Sequence, residues 1–181
     1  MKGIVLTLLQ QVVTDEHDED TWDDLIDAAG VDGAYTAVGT YDHAELHALV
    51  AAAADALDST PDEIVVWFGR KALPLLAQRY PELFEGHTSA RSFVLTLNDV
   101  IHPEVRKLFP GAYAPNFEFD TSDPERIGLT YLSDRGLCRF AEGLVQGAAD
   151  HFGEHAEVVH DRCTRDGADG CTLTCRFVPV A

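Results

Sequence analysis

Two short motifs carry side chains that could bind a metal or an anionic group. The first is His102, which follows a predicted apolar helix from Ser92 to Ile101 and directly precedes Pro103. Proline lacks the amide hydrogen that a continuing helix needs, so a break or kink is expected beside the histidine. Imidazole is the commonest metal ligand among side chains, although a histidine at a helical break is often a capping or surface residue.

The second motif lies at the end of a predicted strand, Ile127 to Leu132, and contains Tyr131, Ser133 and Arg135. Residues two apart in an extended segment share a face, so the phenol, the hydroxyl and the guanidinium point the same way. Three donors on one side suit a carboxylate or a phosphate, which arginine grips through two parallel hydrogen bonds. The same pattern also fits a solvated edge strand that ends at a helix N-cap, Ser133 or Asp134.

Taken together, the two motifs resemble those of the haem nitric oxide/oxygen binding (H-NOX) family. The likeness rests on Asn-Asp-Val-Ile-His ending at His102, on Lys-Leu-Phe-Pro after it, and on the Tyr-x-Ser-x-Arg motif further along. The opening Met-Lys-Gly-Ile-Val and the length of 181 residues extend the resemblance over essentially the whole chain. The resemblance implies that His102 is the proximal iron ligand of haem b, and that Tyr131, Ser133 and Arg135 hold the haem propionates.

Haem is a flat apolar disc with two carboxylates at one edge, so it requires an apolar slot, an axial base and polar groups at the rim. Candidates for the slot lie on the first helix, in a proline turn and on the helix after the Tyr-x-Ser-x-Arg motif: Ile4, Val5, Leu8, Leu9, Pro115, Phe140 and Leu144. Any one of these side chains could equally belong to the ordinary core.

The resemblance also implies which gas is bound. Oxygen-binding H-NOX proteins carry a distal tyrosine on the helix after Tyr-x-Ser-x-Arg, and the matching residue here is Phe140. Oxygen on ferrous haem gains roughly 1.5–3 kcal/mol from a charge-assisted hydrogen bond, whereas nitric oxide needs no donor. We therefore expect a nitric oxide sensor that also binds carbon monoxide and excludes oxygen, unless Tyr80 or Tyr113 reaches the iron. Release of His102, opposite the bound gas, is the expected signal.

A second metal site is predicted in the last quarter of the chain, where all four cysteines lie. Two residues separate His160 from Cys163, and Cys171 returns after a Gly-rich connector, a spacing suited to tetrahedral zinc. Some H-NOX proteins carry such a site with a cysteine just after Tyr-x-Ser-x-Arg, which Cys138 matches. We expect structural zinc on Cys138, His160, Cys163 and Cys171, with Cys175 as a substitute. The alternative is a set of buried thiols that act as small apolar side chains.

The elements that position these motifs follow from periodicity, caps and breakers. Helices are predicted near 3–13, 20–30, 43–57, 61–79 and 135–152, and strands near 117–119, 127–132, 156–162 and 171–178. Asp42 with Glu45 and Thr60 with Glu63 fit capping boxes, and Pro74 should bend the fourth helix. Helices first and a helix-crossed antiparallel sheet of about four strands later indicate an α+β fold.

One domain is expected over residues 1–181, with a helical lobe at about 1–60, a haem-ligating lobe at about 61–181 and the haem buried between them. The hydrophobic content of 46% is enough for a sizeable core. The net charge of −18 repels polyphosphates, so nucleic-acid and anionic-membrane partners are not expected. The apolar run from Ile4 to Leu9 is too short to span a bilayer, and no cleavage site follows, which favours a cytoplasmic protein.

The leading hypothesis is a sensor without catalysis that acts on a separate protein, because the chain shows no phosphate-binding loop and no kinase or cyclase motif. Histidine kinases and diguanylate cyclases are the family's usual bacterial partners. A zinc-stabilised thiol redox module without haem is the alternative, since thiol oxidation releases bound zinc. A haem enzyme is less favoured, because Phe140 leaves no distal acid or base. His43 and His47 lie one helical turn apart but lack a third ligand, so a solvated face is preferred.

Overall fold

The structure, a computed structural model, describes residues 1–180. Seven α-helices in this part of the chain are α1 (Ile4–Glu16), α2 (Glu19–Ala29), α3 (His43–Leu57), α4 (Pro61–Arg79), α5 (Ala90–Val94), α6 (His102–Leu108) and α7 (Cys138–His151). A π-helical turn spans Leu97–Ile101, and short 3-10 turns span Pro81–Leu83 and Thr164–Asp166. The strands are β1 (Asn116–Asp120), β2 (Arg126–Leu132), β3 (Glu154–Arg162) and β4 (Cys171–Pro179).

The four strands form one antiparallel sheet in the order β1-β2-β4-β3. Tyr131 on β2 is the central member of one register row, since it pairs with Phe117 on β1 and with Cys171 on β4. Helices come first in the chain and the sheet follows, with α7 between the two strand pairs. The prediction of an α+β fold with a four-stranded antiparallel sheet is therefore confirmed.

One of the two predicted capping boxes forms. The Thr60 hydroxyl accepts from the amide of Glu63, and the Glu63 carboxylate accepts from the amide of Thr60, which fixes the start of α4. Asp42 does cap α3, but the carboxylate of Glu45 instead accepts the Tyr35 hydroxyl at 2.8 Å. The second capping box was therefore wrong, because a tertiary partner competes for Glu45.

The predicted continuous helix from Ser92 to Ile101 was also wrong. The segment is divided into α5, the π-helical turn and α6, and the irregularity lies before His102 rather than after it. Pro103 occupies the second position of α6. There its missing N–H would have no partner within the helix in any case, so proline begins the new helix instead of breaking the old one.

Buried hydrophobic side chains form two clusters, whose members divide inside α4. The N-terminal cluster takes its members from α1, α2, α3 and the first half of α4, up to Ala72, together with Phe109. The second cluster starts at Leu73 and contains the inner faces of α5, α7 and the sheet. Helix α4 therefore contributes to both clusters, and the lobe boundary near residue 60 stays a prediction. None of the helices within residues 1–180 is both long and apolar enough to cross a membrane.

Helices α4 and α7 hold the two clusters together at a contact between their backbones. A Cβ atom on Gly143 would lie 2.2 Å from the carbonyl oxygen of Val66, and one on Gly69 would lie 2.6 Å from the carbonyl oxygen of Phe140. No side chain fits at these distances without moving a helix. Glycine is therefore required on both helices by the close approach.

We predict that Gly143→Ala lowers the free energy of unfolding by about 1–3 kcal/mol, because the added methyl group forces α7 away from α4. Chemical denaturation measures the effect. Gly170→Ala is the matched control: a Cβ there meets nothing within 4 Å, so its effect should be small. Equal stability of the two variants would contradict the close helix contact.

Candidate functional site

His102 begins α6 directly after the π-helical turn, and its imidazole is buried. Burial is the main cause that lowers its pKa to about 4, helped by the nearby charge of Arg106 and opposed by the Pro115 carbonyl. The ring atom Nδ1 is buried without a hydrogen-bond partner. A buried imidazole that stays neutral at physiological pH has a free lone pair, which is the state that binds a metal.

Around His102 lies a cavity of about 270 Å³ between the two hydrophobic clusters, and its lining is almost wholly apolar. Six of the seven predicted slot residues line it: Ile4, Val5, Leu8, Pro115, Phe140 and Leu144. Leu9 does not line the cavity, because it is buried in the N-terminal cluster instead. Periodicity alone identified the buried side of α1 but could not distinguish its cavity face from its core face.

Tyr131 on β2 and Ser133 and Arg135 in the turn that follows the strand all line the same cavity. Tyr131 is buried, and the Ser133 hydroxyl accepts from the backbone amide of Arg135 at 3.3 Å. The guanidinium carbon of Arg135 lies 4.5 Å above the centre of the Tyr113 ring, and an Arg135 N–H donates to the Tyr113 carbonyl at 3.4 Å. A phenol, a hydroxyl and a stacked guanidinium thus occur together beside an apolar cavity.

Phe140 also lines the cavity. Its ring stacks on Phe68 at 5.0 Å between ring centres and 25° between planes, and Phe68 is fully buried. Tyr80 also lines the cavity, where its ring packs edge-on against Phe109. Tyr113 lines it too, although half of its surface is exposed and its ring is covered by Arg135.

Several residues that line the cavity were not predicted from the sequence, although one group of them has a recognisable spacing. Phe93, Leu97 and Ile101 precede His102 at intervals of four and line the cavity together. That spacing marks one face of a helix, so it could have identified the wall below the histidine. Tyr113 lies in a proline- and glycine-rich link without periodicity, and nothing in the sequence pairs it with Arg135.

The comparisons with known proteins agree with this geometry. The profile of the haem-NO-binding family matches residues 2–160. The chain belongs to the H-NOX family. The H-NOX protein of Shewanella oneidensis, solved in the Fe(II)NO ligation state, is 32% identical over 98% of this chain and 99% of its own, with a TM-score of 0.91. The H-NOX of Shewanella woodyi, solved in the Fe(II)CO state with IWP-051 bound, is 31% identical over 99% of this chain and 95% of its own, with a TM-score of 0.80.

The cavity of this H-NOX chain fits haem in three respects. Its walls are apolar, a buried neutral imidazole lies at it, and Tyr131, Ser133 and Arg135 provide donors for carboxylates. The Pro115 carbonyl lies near enough to His102 to raise its pKa, so it is the acceptor that the unpartnered Nδ1 would use when the other ring nitrogen binds a metal. Family and cavity together support a haem gas-sensor role.

Three cysteines of this H-NOX chain meet beneath the start of α7. The Sγ atom of Cys163 lies 3.8 Å from that of Cys138 and 3.8 Å from that of Cys171, and all three thiols are buried. A tetrahedral zinc with Zn–S bonds of about 2.3 Å separates neighbouring sulfurs by about 3.8 Å. Two of the three sulfur–sulfur distances therefore match those around a zinc ion, and the third is within 4.8 Å.

The other two predicted zinc residues lie outside this group. His160 precedes a bulge in β3, and its Nε2 lies 3.0 Å from the Glu142 carboxylate. Neither ring nitrogen of His160 has a well-formed hydrogen bond, although both are buried. Cys175 pairs with Ile127 and Val158 in the sheet and is fully buried there, where burial raises its pKa to about 12. Its place is therefore in the core of the sheet.

The thiols of the cluster differ in acidity. Burial raises the pKa of Cys138. Burial acts in the same direction on Cys163, but hydrogen bonds from the main chain and side chain of Arg165 outweigh it and lower the pKa. Arg165 is in turn held by Asp62 at the start of α4. Cys163 is thus the first of these two thiols to become a thiolate, the form that binds metal.

Proposed function

We propose that this protein is a ferrous-haem sensor of nitric oxide. His102 would be the axial ligand of haem b, and Tyr131, Ser133 and Arg135 would bind its propionates. The observation that carries the proposal is the buried, neutral imidazole of His102 at an apolar cavity whose wall includes those three donors. The chain would act as one haem-binding domain over residues 1–181, without catalysis and in the cytoplasm.

Selection against oxygen follows from the side chain at position 140. Phe140 offers no hydrogen-bond donor, and its stacking on Phe68 fixes the ring in place. Nitric oxide and carbon monoxide do not need a donor, whereas bound oxygen does. The S. oneidensis H-NOX protein, which is 32% identical to this chain, has been solved in the Fe(II)NO state and in the Fe(II)CO state. Tyr80 and Tyr113 are the candidate cavity phenols that would have to supply a donor if oxygen were bound.

Signalling would start at His102. Nitric oxide weakens the bond on the opposite side of the iron, so His102 would be released and α6, with the π-helical turn before it, would relax. The changed surface would be read by a separate protein, such as a histidine kinase or a diguanylate cyclase. Capture of a partner from the source organism with and without nitric oxide tests this step. Equal capture in both states would contradict signalling through the gas.

The cysteine cluster supports a structural zinc as a further part of the proposal. Cys138, Cys163 and Cys171 would supply three thiolates, and His160 would complete the set by turning from Glu142. Unsatisfied ring nitrogens on His160 favour this assignment over a water ligand. A zinc-stabilised thiol redox module without haem is the alternative function, and a colourless protein after expression with haem supply would favour it.

The axial ligand is tested by replacing His102 with Gly. We predict that His102→Gly retains haem poorly, and that added imidazole restores the haem absorption because it occupies the vacated position. Absorption spectra of the ferrous protein measure both effects. The control is His43→Gly, which removes an exposed imidazole and should leave the spectrum unchanged. Unaltered haem binding in His102→Gly would refute the ligand assignment.

Oxygen exclusion is tested by adding one hydroxyl. The wild-type ferrous protein should show no stable oxygen complex in air-equilibrated buffer, while Phe140→Tyr should form one. The new phenol donates a hydrogen bond worth roughly 1.5–3 kcal/mol, which corresponds to about a 10- to 150-fold gain in oxygen affinity. Phe93→Tyr adds the same hydroxyl to another residue of the cavity wall and should not form a stable oxygen complex. A stable oxygen complex in the wild type that Tyr80→Phe abolishes would assign the donor to Tyr80 instead.

Zinc binding is tested by metal analysis of untagged protein. We predict one zinc per chain in the wild type. In Cys138→Ala, zinc binding should weaken by roughly 100-fold or more, because loss of a residue that merely supports a metal ligand already weakens binding about 10–100-fold. Cys175→Ala should keep its zinc, because Cys175 lies outside the cluster. Less than one zinc per chain in the wild type would contradict the zinc site and favour the alternative, in which the cysteines are buried core thiols.

A further inference from the structure

The segment that carries His102 is fastened to the sheet by the side chain of Asn98. Its Nδ2 atom donates to the carbonyl oxygen of Phe117 at 2.6 Å, and its Oδ1 atom accepts from the Phe117 amide at 3.1 Å. Two strand residues exchange bonds in the same way when they pair across an antiparallel ladder. The Asn98 amide therefore takes the place of a further strand residue beside β1.

The topology of the sheet explains why Phe117 accepts this partner. β1 is an edge strand with β2 on one side, so its outward main-chain groups need partners from elsewhere in the protein. Phe117 is buried, and a buried amide or carbonyl without a hydrogen bond is strongly disfavoured. Asn98 satisfies both groups at once, which makes this contact specific in distance and direction.

Asn98 itself lies in the π-helical turn, four residues before His102. In this turn the amide of His102 donates to the carbonyl of Leu97, and the amide of Ile101 donates to the carbonyl of Thr96, each one residue further back than in an α-helix. Such turns hold one extra residue and occur mainly at functional sites. Asn98, whose side chain bonds to the sheet, thus lies on the turn that leads into the proposed ligand, His102.

Phe117, the residue to which Asn98 bonds, also lies beside two of the proposed haem-binding residues, His102 and Tyr131. The Phe117 ring lies 5.8 Å from the His102 ring, at 31° between planes, and 5.8 Å from the Tyr131 ring, at 60°. Fixing the Phe117 backbone therefore fixes the ring that lies beside both His102 and Tyr131. His102 is located relative to the sheet through the π-helical turn and through this ring.

We propose that Asn98 is a positioning residue for the axial histidine. It would anchor the π-helical turn ahead of His102 to the sheet, which would keep His102 from moving with a bound iron and so favour its release when nitric oxide binds. This inference rests on the proposed function, in which His102 is the iron ligand, and it adds the residue that sets how readily His102 is released.

The test compares Asn98→Ala and Asn98→Asp with Asn116→Ala in the haem-loaded protein. Asn116 is the exposed first residue of β1 and is the matched control. We expect the ratio of six- to five-coordinate nitrosyl to rise about tenfold in Asn98→Ala, which corresponds to about 1.4 kcal/mol. The iron–histidine stretching frequency of the unliganded ferrous protein should rise as well, because an unanchored His102 can approach the iron. Asn98→Asp keeps only the acceptor for the Phe117 amide, so its values should fall between those of Asn98→Ala and the wild type.

A merely structural role for Asn98 gives a different result. It would lower the melting temperature while the stretching frequency and the nitrosyl ratio stay at wild-type values, and that outcome overturns the proposal. Asn98→Asp keeps the test informative if Asn98→Ala fails to fold. The absence of any iron–histidine band in the wild type would instead refute the proposed function, and the role of Asn98 with it.

Discussion

Burial of the His102 imidazole is the constraint that organises this structure. A neutral ring nitrogen must be held beside an apolar cavity with little help from hydrogen bonds, since its Nδ1 has no partner. Burial lowers the pKa to about 4, so the ring stays neutral without a neighbouring acid. Its position depends instead on shape: α6 begins at His102, Phe117 lies against the ring, and Asn98 connects the preceding turn to β1.

Helix α7 connects the cavity with the cysteine cluster. Phe140 and Leu144 line the cavity, while Cys138, in the same helix, meets Cys163 and Cys171. The buried carboxylate of Glu142 binds Arg139 within the helix and lies beside His160 on β3. Any change in the charge or the metal content of the cluster therefore acts on the helix that also forms a wall of the cavity. The two proposed metal sites share one rigid element.

The sequence predicted the parts of the site that depend on local pattern. The two-residue spacing of Tyr131, Ser133 and Arg135 indicated a shared direction, and all three line the cavity although the last two lie in the turn after β2. The apolar stripe of α1 indicated Ile4, Val5 and Leu8. It failed where a tertiary contact outweighs local preference. The π-helical turn contains Asn98, which bonds to Phe117 nineteen residues further along the chain, and no periodicity signals this contact.

The same limit applies to the second predicted metal site. Cysteine spacing indicated Cys163 and Cys171, which flank one turn, and the family resemblance added Cys138 at the start of α7; these three thiols meet in the structure. His160 was grouped with them by its distance along the chain. A bulge in β3 after His160 and the buried carboxylate of Glu142 determine where its ring lies instead. Both are properties of the folded sheet and α7.

The two sides of the cavity differ in how firmly they are held. On the Phe140 side, α7 touches the α4 backbone at Gly69 and Gly143, and Phe140 stacks on a fully buried ring, so movement there would disrupt close packing over two helices. On the His102 side, the chain passes through a five-residue helix, a π-helical turn and a seven-residue helix. Short helices depend on tertiary contacts for their stability. A change in the bond to His102 would therefore be taken up on its own side of the cavity, and Asn98 lies where that side meets the sheet.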